Sequence, residues 1–450
     1  MVGRQTRVST RPREVTFLGL DIGSSSVKAA LLRSGRAIGP IVHAPFPTSH
    51  VGVQVEVEPR KLLAAVARAI GDLGKAARKA DVIAMSVMSP AWVAMDKAGK
   101  PLTGIVTHQD RRSVAVAHDL LRRVGQARYL KLAGNLPFPG GISATTWAWF
   151  CRNHPALMRR ADLVGHLNTF LHRQITGARV IDPANASFTG LYDTVGQSGW
   201  NAELCEAAGA LPRQLPRILE SNVIARQVPA AAAERFGLRV GTPVLIGVVD
   251  TSSAMILTGA RPGQLLNVCG STDVLGLCTS SAHPHEQLLT RALGVGKKWM
   301  SVSTLAAAGS ALNWAHEQLF NEMKPAAYWK LLDKIANDPE AVKQSGVRFE
   351  PYLAGERAAI DQRKAALTGL TLATTRLQML GAIVQSLAEA SAARLTLLRQ
   401  TGAKINRDVV VSGGVQNGLD KILHRDWPGK WRFRTEPEAT LRGLSLLSPK

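Results

Sequence analysis

Two aspartates, each placed where an apolar run gives way to small polar residues, are the groups of this chain best suited to chemistry. Asp21 lies in FLGLDIGSSSVKAALL (Phe17 to Leu32), followed by Gly23, Ser24, Ser25 and Ser26. Asp250 lies in GVVDTSSA, followed by Thr251, Ser252 and Ser253. A strand ending in a glycine turn brings backbone N–H groups to one point, and small hydroxyl residues leave room there for an anion. An acid beside such a turn suits a metal ion held partly through water. Lys28 alternates back onto the side of Ser24 and Ser26. Two further small-residue turns follow apolar runs: Gly270–Ser271–Thr272 and Ser412–Gly413–Gly414. Each feature also has a plainer reading, Asp21 as a turn former, Asp250 as a helix cap and Gly270 as a hairpin glycine. Their recurrence favours a phosphate site, with each half of the chain supplying one wall.

The elements that must position these residues can be read from periodicity. Phe17 to Leu32 reads as a hairpin, and VQVEVEP (Val53 to Pro59) as a strand closed by proline. Leu62, Leu63, Val66, Ile70 and Leu73 repeat at helical spacing over 60–73. Residues 81–96 read as a buried strand pair around Ser89–Pro90, and 112–132, 143–150 and 162–176 as helices. Several prolines lead to a turn at Gly241–Thr242–Pro243, where a new strand begins. The expected division is therefore a basic disordered arm over 1–15, a first domain over 16–242 and a second over 243–450. In the second, Leu305 to Trp314 opens a helix, PYLAGER (Pro351 to Arg357) comes later, and Leu377 to Leu398 forms a long helix.

At 450 residues the chain is too long for one ordinary core, and 46% hydrophobic residues suffice for two. No apolar run is long enough to span a membrane, and the start lacks a secretory signal. Four scattered cysteines, Cys151, Cys205, Cys269 and Cys278, form no CxxC pair, so free thiols and a cytoplasmic setting are expected. The formal charge is +22, and Lys421 to Arg434 interleaves five Lys or Arg with Trp427, Trp431 and Phe433. This composition fits weak non-specific polyanion binding; a specific nucleic-acid role is not expected, since the aromatics equally fit a helix, a turn and a strand.

The order of these motifs resembles the FGGY carbohydrate kinases over nearly the whole chain. A first family pattern is met by Gly141, Ser143, Trp147, Trp149, Phe150, Arg152 and Asn153, with Thr146 where a lysine is usual. The second is met by Ala365, Leu367, Gly369, Leu370, Gln378, Met379, Ala382, Ile383, Val384 and Gln385. FLGLDIGSSSVK is similar to the family's first phosphate motif, GVVDTSSA to its catalytic-aspartate segment, and VSGGVQN to its adenosine motif. Glu56–Val57–Glu58–Pro59 resembles E-Q-D-P. His108–Gln109–Asp110–Arg111–Arg112 keeps the acid and the last arginine of W-x-D-x-R without its tryptophan, and Met88–Ser89–Pro90–Ala91 replaces the polar stretch of xylulokinases.

The resemblance implies an α/β fold of two ribonuclease-H-like domains, of the actin and hexokinase type, with a ligand cleft between them. It implies phosphorylation of a sugar or polyol by Mg-ATP, with a pentulose such as D-xylulose the first expectation. Another ketose, polyol or sugar acid (ribulose, glycerol, gluconate) is the alternative, and a non-catalytic sugar or nucleotide sensor on the same fold stands as a further reading. Asp250 is then the general base and Asp21 the Mg²⁺ residue. Ser89, His108, Asp110 and Arg112 are expected at the sugar. Ser24, Ser25, Lys28, Gly270, Ser271, Thr272, Gly309, Gly413, Gly414 and Asn417 are expected at ATP. The partners expected are the small-molecule sugar and ATP, with no membrane; a homodimer is the assembly left open.

Overall fold

The computed structural model of the chain describes residues 14–338, 345–413 and 418–450. The basic arm expected over 1–15 therefore falls almost wholly outside them, as do Gly414 and Asn417.

The opening hairpin forms as its alternation predicts. Phe17–Ile22 and Ser26–Arg33 pair antiparallel with Asp21 opposite Lys28, and the Gly23 N–H closes the turn on the Ser26 carbonyl at 3.0 Å. Phe17–Ile22 also pairs in parallel with Val82–Val87, which pairs on its other side with Pro243–Leu245 and Val248–Val249. All five belong to one eight-stranded sheet. A six-stranded sheet builds the second half, in the order Leu289–Ala292, Trp299–Leu305, Asp273–Thr279, Leu265–Cys269, Asp408–Gly413, Arg432–Thr435. The two main sheets thus divide the chain between Val249 and Leu265, later than the 242/243 boundary the turn suggests. Alternation marks 243–249 as strand but does not say which sheet the strand joins.

A third, five-stranded sheet carries Ala91–Met95 and Leu163–His166. Two expectations change here. The strands on either side of Ser89–Pro90 enter different sheets and do not pair with each other. Residues 163–166 of the expected helix 162–176 are a strand, and the helix is only Leu167–Ile175. Pairing with Ala91–Met95 buries that strand completely and overrides the helical periodicity. The helix expected over 112–132 is two, Val114–Val124 and Gln126–Ala133, parted at Gly125 with φ of 85°.

Packing explains the aromatic residues of the first family pattern. Helix Ala144–Asn153 sets Phe150 in a stack on Trp92 at 4.7 Å, with Trp147 edge-on to the same ring at 6.2 Å. The long helix Arg376–Gln400 opens with a capping box between Thr375 and Gln378. In the basic aromatic stretch 421–434 the aromatic residues pack on one another: Trp427 is buried and meets Trp431 at 5.4 Å, while Phe433, itself exposed, stacks on His424 at 4.4 Å. All four cysteines are free thiols. Among the described residues no helix is long and apolar enough to cross a membrane.

Buried titratable groups give the fold a pH dependence with a definite sign. Burial depresses His166 to about 3 and His172 and His424 to about 4, and holds His108 well below the usual range. Burial also raises Asp21 to about 7 and Asp182 to about 6. Near pH 5 unfolding lets the four imidazoles take up protons and the two carboxyls release them. The unfolded state then binds roughly two more protons, so stability drops as the pH is lowered, by on the order of 1.4 kcal/mol per net proton per unit. Chemical unfolding at pH 7 and pH 5.5 should show a lower midpoint at the lower pH; an unchanged or higher midpoint would contradict this assignment.

Candidate active site

Strand Val82–Val87 lies between Phe17–Ile22 and Val248–Val249, so Asp21 and the residue after Val249 leave one edge of one sheet. With strands about 4.8 Å apart, the two backbones are about 10 Å apart. This corrects the expectation that each half contributes one aspartate wall: both acids come from the first sheet. The second sheet contributes the turn Gly270–Ser271–Thr272, between Leu265–Cys269 and Asp273–Thr279.

Asp250 is the first residue of helix Asp250–Leu257, and its carboxylate accepts the Thr251 N–H. The helix is seated by a neighbour distant in sequence. The Ser253 hydroxyl donates to the Thr440 carbonyl at 2.6 Å, and a Cβ on Gly443 would lie 2.0 Å from the Ser253 carbonyl oxygen. Asp21 is buried; its Oδ1 accepts the Ser86 hydroxyl at 2.8 Å. Burial chiefly, and the charges of Asp250 and Glu438, raise its pKa to about 7, against the lowering effects of Ser86 and Lys28.

Asp250 faces a cavity of about 240 Å³. Ser24, Ser89, His108, Ser271 and Thr272 also line it, so six of the residues expected at the sugar, the phosphates or the base come together. The phosphate-type turn is tightly packed: the Gly309 N–H donates to the Gly270 carbonyl at 3.0 Å, and the Ser310 N–H to the Ser271 carbonyl at 3.2 Å. A Cβ on Gly413, where φ is 92°, would lie 2.1 Å from the Cys269 carbonyl oxygen. Glycine is therefore required where the adenosine-type motif meets the strand feeding this turn. Just beyond the turn, buried Asp273 pairs with Arg394 of the long helix and accepts from Asn267 at 2.6 Å.

Other expected residues sit elsewhere. Ser25 is exposed, its carbonyl accepting the Phe46 N–H at 3.0 Å. The Lys28 ammonium is ion-paired with Glu438 at 2.6 Å, joining the hairpin to the end of the chain. Asp110 and Arg112 do not line the cavity. They pair with each other at 2.7 Å, and Arg112 also reaches Glu56 at 2.6 Å while lying 5.2 Å from the Trp149 ring centre. Asp110 accepts the Val55 N–H at 2.8 Å. This network fixes the segment that delivers His108.

His108 is neutral at ordinary pH, since burial first, and then the charges of Arg357 and Arg111, depress it. The Ser89 hydroxyl meets buried His166 Nδ1 at 3.3 Å, and His166 Nε2 meets Ser143 at 2.8 Å. Sequence reasoning misses Arg291, Arg357 and Phe188, which also line the cavity. Arg357 lies in the conspicuous PYLAGER stretch, but nothing in that pattern aims it at Asp250; Arg291 lies in LTRA, an ordinary strand.

The arrangement can bind an anion at the Gly270–Thr272 turn and hold a carboxylate against a polar molecule beside it. Comparison with known proteins gives the family. Residues 16–257 match the FGGY family of carbohydrate kinases, N-terminal domain, and 265–419 its C-terminal domain. A xylulose kinase from Streptomyces rubiginosus is 25% identical over 408 residues, covering 89% of this chain and 80% of that one. A gluconokinase from Bacillus subtilis (strain 168) is 24% identical over 383 residues, covering 82% and 74%. The fold is that of the xylulose kinase structure from Rhodospirillum rubrum, with a TM-score of 0.83, 24% identity and coverage of 97% and 89%. These matches, spanning both halves and the cleft-forming strands, place the chain in the FGGY family of carbohydrate kinases.

Proposed function

We propose that the chain transfers the γ-phosphoryl group of Mg-ATP to a hydroxyl of an open-chain polyhydroxylated acceptor of about five carbons, with D-xylulose the representative to try first. The observation that carries this reading is the shared cavity in which the Asp250 carboxylate faces the Ser271–Thr272 turn. A free hydroxyl is a poor nucleophile, and a carboxylate that accepts its proton as the phosphoryl group arrives is the effective remedy. Asp250 takes that proton. Ser24, Ser271 and Thr272 present donors to the β- and γ-phosphates, and Gly309 and Gly413 let the backbone approach the nucleotide. Ser89 and neutral His108 bind acceptor hydroxyls, while Asp110 and Arg112 position the His108 segment.

Mg²⁺ takes one or two carboxylates and completes its shell with phosphate oxygens and water. Among the described residues no cluster of three or more His, Cys, Asp or Glu forms a self-sufficient metal site. Asp21 fits the smaller requirement: Ser86 fixes one oxygen, and no donor reaches the other among the described residues. When bound, the ion neutralises charge on the transferring phosphates.

The test is ADP release from Mg-ATP across D-xylulose, D-ribulose, glycerol, gluconate and other polyols. Acceptor-dependent release above the water background is expected. A chain that binds ATP but releases ADP with none of them would be a sensor on this fold.

A further inference from the structure

The charge balance of the cavity beside Asp250 is not that of a neutral sugar site. Arg291 and Arg357 both line it, are only 3% and 8% exposed, and have no ion-pair partner among the described residues. Arg291 donates to the Thr251 hydroxyl, with its guanidinium 5.1 Å from the Phe188 ring centre. Arg357 donates to the Ser89 carbonyl at 3.1 Å. The Nε–H of each is buried without an acceptor. Burial lowers both to about 10, so both remain cationic at neutral pH. A third guanidinium, Arg111, is committed to Gln362 at 3.0 Å and the His108 carbonyl at 2.8 Å. His108 is neutral. Against two lining cations, Asp250 is the one carboxylate lining the cavity among the described residues.

Asp250 acts electrostatically on both arginines and Asp182 on Arg291, but one lining carboxylate does not balance two lining cations, and the occupant that completes such a balance is an anion. The ATP phosphates are one source, but the topology separates them from Arg291. Arg291 pairs with Met300, and Met300 with Cys278, five residues along the strand from Asp273 beside the phosphate turn. At about 3.3 Å per residue that is roughly 16 Å. The Arg291 backbone is therefore set well away from the turn that carries Ser271 and Thr272, and its side chain reaches into their shared cavity beside Thr251.

We infer that the acceptor carries a carboxylate: a polyhydroxylated acid of five or six carbons, whose carboxylate is held by Arg291 and Arg357 while one hydroxyl lies at Asp250. This rests on the kinase reading, keeps its polyhydroxylated acceptor and puts an acid in place of D-xylulose as the preferred one. A guanidinium fork suits a carboxylate with two parallel hydrogen bonds, which a single hydroxyl cannot accept.

The experiment compares D-gluconate and D-xylonate with sorbitol, xylitol and D-xylulose, by kcat/KM at fixed Mg-ATP and by ligand-induced shift of Tm. It uses the wild-type chain, Arg291→Met, Arg291→Lys and Arg357→Met. An acid is expected to exceed every neutral acceptor at least tenfold in kcat/KM and to raise Tm. Arg291→Met should lower kcat/KM for the acid about a hundredfold, mainly through KM, leave KM for ATP within twofold and abolish the Tm shift. Arg291→Lys should recover part of each. Acids that neither bind nor react while D-xylulose is phosphorylated would overturn the inference and leave the kinase reading standing. Acids that bind through Arg291, with neither they nor any neutral acceptor phosphorylated, would uphold the carboxylate site at the arginines and defeat the kinase reading on which its acceptor role rests. A rise in KM for ATP in Arg291→Met, with acid binding unchanged, would reassign the arginines to the nucleotide and overturn it.

Discussion

Asp250→Asn is expected to lower kcat for the best acceptor by roughly a hundredfold or more, with nucleotide affinity preserved. The amide keeps the shape of the side chain and an oxygen to accept the Thr251 N–H, so the helix Asp250–Leu257 loses little. What disappears is the group able to take the acceptor's proton. The seating of the helix, through Ser253 on the Thr440 carbonyl, does not involve the carboxylate. A loss confined to turnover, with ATP binding by calorimetry unchanged, therefore reads chemistry and not folding. Near-wild-type kcat would return Asp250 to the role of a helix-start acid.

Asp21→Ala should raise the Mg²⁺ concentration needed for half-maximal activity at least tenfold, with KM for the acceptor little changed. The carboxyl is buried, oriented by Ser86, and within electrostatic reach of Asp250 and Glu438. Such a group is poorly placed as an isolated anion and well placed against a divalent cation, which reverses the local penalty on ionisation. Its removal leaves the antiparallel hairpin pairing intact, since that pairing is made by the backbone. Titration of activity against Mg²⁺ distinguishes the outcomes: a parallel shift in Mg²⁺ demand supports the metal role, and an unchanged titration would make Asp21 a structural residue of the turn.

Much of this site is legible in the sequence because its parts are local. Asp21 and Ser24 lie in one hairpin, Ser271 and Thr272 in one turn, and breakers with small residues mark such turns without reference to the rest of the chain. What is not legible is pairing across the fold. Val248–Val249 reads as the start of a second domain, yet its parallel pairing with Val82–Val87 puts Asp250 on the same sheet edge as Asp21. Asp110 and Arg112 are recognisable as a pair, but only the positions of Glu56 and Trp149 show that they are turned away from the cavity. Arg291 is the clearest omission. One arginine in a four-residue strand has the same alternation whether it points to solvent or to a carboxylate. His166 is hidden in the same way, since a helical reading of 162–176 conceals that it joins Ser89 to Ser143.

The central claim, that phosphoryl transfer takes place in the cavity shared by Asp250 and the Gly270–Thr272 turn, is tested most directly by following the phosphoryl group itself. Mg-ATP labelled at the γ-phosphate is incubated with the wild-type chain and the acceptor panel, and the label is partitioned between acceptor and inorganic phosphate. The account predicts label in a phosphorylated sugar or sugar acid, in amounts matching ADP, and its loss in Asp250→Asn. Label found only in inorganic phosphate, at a rate indifferent to acceptor and to Asp250, would contradict it.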